Sequence, residues 1–217
     1  MTAAGNRGNW VRDNGLTIVL LLLFAFSLTG HIFAGHATEN AERLQEGQAA
    51  VSLAAYLGSG VFLSSVFENW ESEFLQMWAY VMLTAYLFQR GSPESRDPDQ
   101  TPGMRPGESP RALRAIGKKI YAHSLGFALL GLFVISFIIH WVNSSRDAAK
   151  TAIQHGEPPA DLLEHLVSPQ LWFESFQNWQ SEFLSTAVLV VLGIFLRERM
   201  SPESKAVGDP NEKTGSE

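Results

Sequence analysis

The 217-residue chain has no cysteine. This excludes a disulfide framework, thiolate-ligated zinc, an iron–sulfur cluster and a cysteine nucleophile. Charge is also scarce: 18% of residues are charged, the net charge is −6 and the pI about 5.5. Such a chain lacks the basic surface that nucleic acid requires, so no nucleic-acid partner is expected. It contains no G-x-x-x-x-G-K, G-x-S-x-G or G-x-G-x-x-G stretch, and no cofactor is expected.

A mean hydropathy of +0.01 hides a sharp segregation of apolar and polar segments. Residues 16–35 and 121–142 form runs of 20 and 22 residues without Asp, Glu, Lys or Arg. About 20 apolar residues in a helix span a ~30 Å hydrocarbon layer. Both runs are therefore expected to cross a membrane. Two shorter runs, 74–88 and 183–196, reach that length only if the preceding turn, 69–73 or 178–182, also enters the bilayer. A cleaved signal is the competing reading of the first run, with Arg7 and Arg12 before it and Gly35-His36-Ala37 after it. The repeat argues against that reading, because the equivalent run at 121–142 is internal.

Residues 14–95 align without a gap on residues 123–204, with 27 identities in 82 pairs. His31 pairs with His140 and Gly47 with Gly156. The string F-[EQ]-N-W-[EQ]-S-E-F-L occurs at 67–75 and 176–184, and Ser-Pro-Glu-Ser at 92–95 and 201–204. Each copy reads as helix, polar loop, helix. An even number of spans per copy keeps both in one orientation. The expected fold is all-α and integral to the membrane, with four transmembrane helices arranged as two parallel-repeat helical hairpins.

Repeat one covers 14–95 and repeat two 120–204. The proline-rich stretch 96–119 is expected to be a disordered linker, and 205–217 a disordered tail. Lys and Arg concentrate before the first run, in the central linker and after the last run, whereas the loops within the repeats are acidic. By the positive-inside rule both termini and the linker are expected to be cytoplasmic.

The doubled nonapeptide carries the candidate chemistry. On a helix Asn69 and Glu73 share a face, as do Asn178 and Glu182. Trp70 and Trp179 lie beside them, where interfacial indoles are common. Glu73 and Glu182 sit about one turn inside the apolar layer, where an unpaired charge is costly, so each needs a partner. His31 and His140, near the outer ends of the first helices, are at similar depth. Such His–carboxylate pairs either lock helices together or hold a proton, an ion or a metal. No H-E-x-x-H spacing identifies a metal. His36, His155 and His165 fall in the outer loops and read as solvated. The function expected is that of a non-enzymatic membrane protein that self-associates or packs with partner subunits. The alternative is an ion, proton or metal conduit or sensor using the eight residues just named at 31, 69, 70, 73, 140, 178, 179 and 182.

The doubled motif, each copy followed by an apolar helix and a Ser-Pro-Glu-Ser stop, resembles a bacterial integral-membrane family known only as a domain of unknown function. The resemblance covers roughly residues 10–205. It implies a four-helix inner-membrane protein and transfers no activity.

Overall fold

A computed structural model describes residues 10–99 and 120–215. It divides into two compact units, Met1–Phe62 and Leu63–Glu217. Among the described residues every regular element is a helix. In chain order they are α1 (Trp10–Asp13), α2 (Gly15–Gln45), α3 (Leu53–Leu57), α4 (Gly60–Tyr86), α5 (Ser124–Gln154), α6 (Leu162–Leu166) and α7 (Pro169–Phe195).

Among the described residues three segments are long and apolar enough to cross a membrane: Gly15–Gln45, Ser124–Gln154 and Leu162–Phe195. At 31 residues, α2 and α5 are about 46 Å long and outrun a ~30 Å hydrocarbon layer. In α2 the excess is a run of helix formers braced by a 2.6 Å Arg43–Glu39 pair, one turn apart. His36 accordingly sits in α2 rather than in a loop. Both long helices stop at a glycine in the left-handed region, Gly47 (φ +72°) and Gly156 (φ +75°). The following amides reach back, Gln48 N–H to the Arg43 carbonyl at 2.7 Å and Glu157 N–H to that of Ala152 at 2.9 Å. This is the Schellman closure that glycine permits.

The two 27-residue helices begin a full turn or more before the nonapeptides. Ser168 caps α7 by accepting from Leu171 N–H at 3.3 Å. Ser59 accepts from Phe62 N–H at the same distance. Helix α4 is long enough to span, but it is not among the three sufficiently apolar segments, because Glu68, Glu71 and Glu73 share its first half.

The second unit is polar within and apolar without. Its buried side chains include thirteen polar or charged residues, among them Glu71, His140 and Lys205, but only Val66, Leu129 and Leu171 of the large apolar ones. Leu125, Ile135, Leu184, Leu189 and Phe195 are instead exposed. A water-soluble protein shows the reverse; this distribution suits a lipid surround.

The expectation of a disordered tail at 205–217 is corrected over the residues described. Residues 205–215 fold against 91–95. The Lys205 ammonium, 1% exposed, donates to the carbonyls of Gly91 (2.5 Å), Asn211 (3.0 Å), Ile194 (3.1 Å) and Lys213 (3.2 Å). Gly91 N–H donates to Thr214 Oγ1 at 2.9 Å and Gly215 N–H to the Ser92 carbonyl at 3.0 Å. A polar composition suggested disorder, but one buried cation here gathers four carbonyls from three chain segments. Of the linker, 100–119 lies outside the described residues. The Ser-Pro-Glu-Ser strings are paired turns. Ser95 Oγ accepts from Gln89 N–H and Ser204 Oγ from Glu198 N–H, both at 2.8 Å. The next residue then reaches the helix end, Arg96 to the Ala85 carbonyl and Lys205 to that of Ile194.

Candidate functional site: a buried imidazole between two carboxylates

The site lies wholly in the second unit. Its centre is His140, midway along α5 and fully buried. Its Nδ1 lies 3.1 Å from Glu71 Oε2 of α4, and its Nε2 lies 3.1 Å from Glu174 Oε2 of α7. Ser175 Oγ donates to the other Glu71 oxygen at 2.8 Å. Ser144 Oγ donates to Glu174 Oε2 at 2.7 Å and Gln170 Nε2 to Glu174 Oε1 at 3.0 Å. Beyond Ser144 comes His165, whose Nε2 is 2.9 Å from the hydroxyl. The Glu68 carboxylate accepts from Asn178 Nδ2 nearby.

The local folding that sets this up is legible. His140 and Ser144 are four apart on α5 and share a face. Helix α6 is short, but Asp161 and Glu164 close a capping box at its start. Two indoles pin it: Trp141 Nε1 donates to the Leu162 carbonyl and Trp172 Nε1 to that of Leu166, both at 2.9 Å. This holds His165, 3% exposed, against Ser144.

A carboxylate only accepts hydrogen bonds. A ring with a carboxylate oxygen at each nitrogen satisfies both only as the imidazolium, or with one carboxyl carrying the proton. The hydrogen bonds run without a break along Glu71–His140–Glu174–Ser144–His165. The two carboxylates lie at opposite edges of the ring and do not converge on a common point. Among the described residues no set of three His, Asp or Glu side chains is arranged to hold a metal. Ser144 sits beside a histidine and a carboxylate but is 2% exposed and gives its proton to Glu174.

Of the residues expected from the sequence, His140 and Asn178 lie in this network. Glu182 is not the partner of His140; Glu71 and Glu174 are. Glu174 belongs to α7 because that helix starts at Pro169, earlier than the nonapeptide suggested. Glu71 lies two residues before Glu73, about 200° around the helix, so the inward acid is Glu71 while Glu73 is exposed. Glu73 and Glu182 do lie within electrostatic reach of each other. Asn69 is exposed and bonds its own helix at the Ser65 carbonyl, 2.7 Å away. Trp70 stacks edge-on with Phe67 at 5.1 Å. Trp179 packs in an aromatic cluster with Phe133, Trp172 and Phe176. His31 lies in the first unit, edge-on to Phe62 at 5.6 Å. His165, read as solvated, is buried. His155 is exposed, its Nδ1 3.0 Å from the Thr151 carbonyl.

Sequence reasoning missed Glu71, Glu174, Ser144, His165 and Ser175. Aligned at the 109-residue spacing, these stand opposite Gln180, Ser65, Gly35, Tyr56 and Val66. The partners of His140 occupy positions where the two copies differ, and that is the signal that finds them.

Gly35 and Tyr56, both in the first unit, show the same register filled differently. A Cβ on Gly35 would lie 2.1 Å from Tyr56 Oη. The longer phenol requires glycine there, whereas the shorter His165 leaves room for Ser144. Gly35→Ser is therefore expected to cost about 1–3 kcal/mol by overpacking. The double change Gly35→Ser with Tyr56→His should recover most of it. Thermal unfolding of the two variants in detergent checks this; equal losses in both would contradict it.

The chain matches the family model described as Domain of unknown function (DUF6766) over residues 7–216. No curated protein and no solved structure matches it. With nearly its whole length covered by that model, the chain belongs to the DUF6766 family.

Proposed function

We propose that this is a four-span, non-enzymatic membrane protein that takes up and releases a proton at the His140 cluster and changes its helix packing in response. The single observation that carries this reading is the fully buried imidazole with a carboxylate at each nitrogen. A buried group whose charge depends on one proton couples that proton to the packing around it. The charged and titratable groups facing it are Glu68 and Glu71 from α4, Glu174 from α7 and His165 from α6.

Several features support the architecture. The lengths 31, 5 and 27 of α2–α4 recur in α5–α7, with every bound displaced by 109 residues. Helix α7 is apolar enough to span, and α4 occupies the same place in the first copy. Glu71, which makes α4 look too polar, is neutralised inside the protein rather than exposed to lipid. The Lys and Arg excess in the flanks and linker supports cytoplasmic termini and a site toward the outer face. Self-association belongs to the same reading: α2 has no buried residue, and exposed apolar side chains such as Leu22 offer a surface to a second copy or a partner subunit. A cysteine placed at Leu22 in this cysteine-free chain tests that contact by crosslinking, and no crosslinked dimer in native membranes would count against it.

Trp172 and Trp179 report the site from the neighbouring aromatic cluster. In proteoliposomes their emission should change in one step as pH is varied and the cluster loses its proton. His140→Gln combined with Glu71→Gln keeps hydrogen-bonding groups in place and removes the step. A wild-type protein without the step, or a double variant that keeps it, would overturn the reading.

A further inference from the structure

We propose that a cleft between α4 and α7, beside the first Ser-Pro-Glu-Ser turn, binds one membrane phospholipid with a primary-amine headgroup. One acyl chain lies along the cleft and the ammonium meets Glu94. The inference rests on α4 being a span and is independent of the proton chemistry at His140.

The cleft has a volume of about 320 Å³, at the small end of ligand pockets. Its walls are mostly apolar, with Leu83, Leu87, Phe88, Phe183 and Val190 among them. It runs from Gln76 of α4 to Leu87, the residue after its end, which at 1.5 Å per residue is about 16 Å, or half of a ~30 Å hydrocarbon layer. A slot as long as one leaflet and lined by aliphatic side chains suits an acyl chain. It lies on the face that the membrane covers, so a lipid is the occupant at hand.

The polar end selects the headgroup. Tyr80 Oη donates to Glu94 Oε2 at 2.5 Å. Glu94 Oε1 is buried and receives no hydrogen bond, and it faces the carboxylate of Glu203 from the second Ser-Pro-Glu-Ser turn. Two carboxylates facing one another need a proton or a cation between them. Burial raises the Glu94 pKa, and the neighbouring Glu203 adds to this. An ammonium donates three N–H groups and satisfies both acids at once. At the rim, the Arg96 guanidinium stands 5.4 Å from the ring centroid of Phe88, a lining residue, where it can pair with a phosphate. Acid inside and guanidinium at the rim match an ammonium–phosphate zwitterion. A choline headgroup has no N–H to give Glu94, and a glycerol headgroup carries no cation.

The test is native mass spectrometry of the full chain in mild detergent, titrated with dioleoyl phosphatidylethanolamine, phosphatidylcholine or phosphatidylglycerol. Wild type should retain the ethanolamine lipid about tenfold more strongly than either of the others, the worth of one charge-assisted hydrogen bond. Glu94→Gln should abolish that preference, and Ala187→Trp, which fills the cleft, should abolish retention. Circular dichroism establishes that each variant is folded; if Ala187→Trp is not, Glu94→Gln decides alone. Equal retention of the three lipids, a preference for the glycerol lipid, or a preference unchanged in Glu94→Gln overturns the proposal. Leu83→Cys with a membrane-impermeant maleimide examines the span separately. Labelling from water means that the span has failed; protection without a lipid preference means that the lipid site has failed.

Discussion

Replacing His140 with alanine is expected to destabilise the protein by about 3–5 kcal/mol, the usual cost of removing one partner from a buried ionic group. The loss comes less from the missing attraction than from what remains. Glu71 is fully buried and would keep only the Ser175 hydroxyl, while Glu174 would keep Ser144 and Gln170. Two carboxylates would then share a site with no cation, and Glu68 would add a third nearby. Neutralising the whole cluster is a different experiment. His140→Leu with Glu71→Gln and Glu174→Gln should recover most of the stability, since buried ion sets replaced together by neutral groups of similar volume cost little. Denaturation in bicelles followed by circular dichroism distinguishes the two. A single alanine variant as stable as wild type, or a neutral triple variant as unstable as the single, would contradict this account of the cluster.

The second large effect is expected at Lys205. Lys205→Met keeps the apolar stem but removes the ammonium that serves four carbonyl oxygens. Each buried carbonyl left without a donor costs about 1–3 kcal/mol, so residues 201–215 should detach from the 91–95 turn. Limited proteolysis should then cut the tail, while the helices stay protected. The contacts flanking Lys205 set the pH behaviour. The Lys213 ammonium, 2.9 Å away, holds Asp209 below the usual aspartate range. A carboxylate with a lowered folded value contributes above its unfolded value and loses the contribution as pH falls through the folded one. Acid below about pH 3.8, not neutral pH, therefore loosens this pair. A tail that stays docked through the pH range in which tryptophan emission changes would separate the two ends of the molecule. A Lys205→Met tail as protease-resistant as wild type would remove the carbonyl cage from the account.

Much of the fold is legible in the sequence because lipid imposes a simple rule. The uncharged runs inside α2 and α5 can only be helices of spanning length, and the glycines at 47 and 156 end them. Helices α4 and α7 are harder. Their N-terminal halves mix acids, serines and aromatics, and the caps at Ser59 and Ser168 precede the conspicuous nonapeptide. Reading the helices from the motif onward lost Glu174 and set the register on Glu73 and Glu182. The site was obscured by a further assumption, that a duplicated chain uses its shared residues. His140 is shared with His31, but its partners occupy positions where one copy holds an acid, serine or histidine and the other does not. Gln180 opposite Glu71 reads as tolerance of charge loss when the copies are taken as equivalent. In three dimensions it marks that only one such network is assembled in the second unit. The tail escaped because composition speaks to an average, and a single lysine with four carbonyl partners is invisible to it.

The measurement that bears most directly on this account is the protonation of His140 itself. Nitrogen NMR of the histidine-labelled protein in lipid at neutral pH, with the spectrum of His140→Gln subtracted to isolate one ring, reads both nitrogens at once. The account expects Nδ1 and Nε2 both protonated and both strongly hydrogen-bonded, or one proton exchanging with a neighbouring carboxyl. A ring with one bare nitrogen and sharp neutral-imidazole resonances would contradict it.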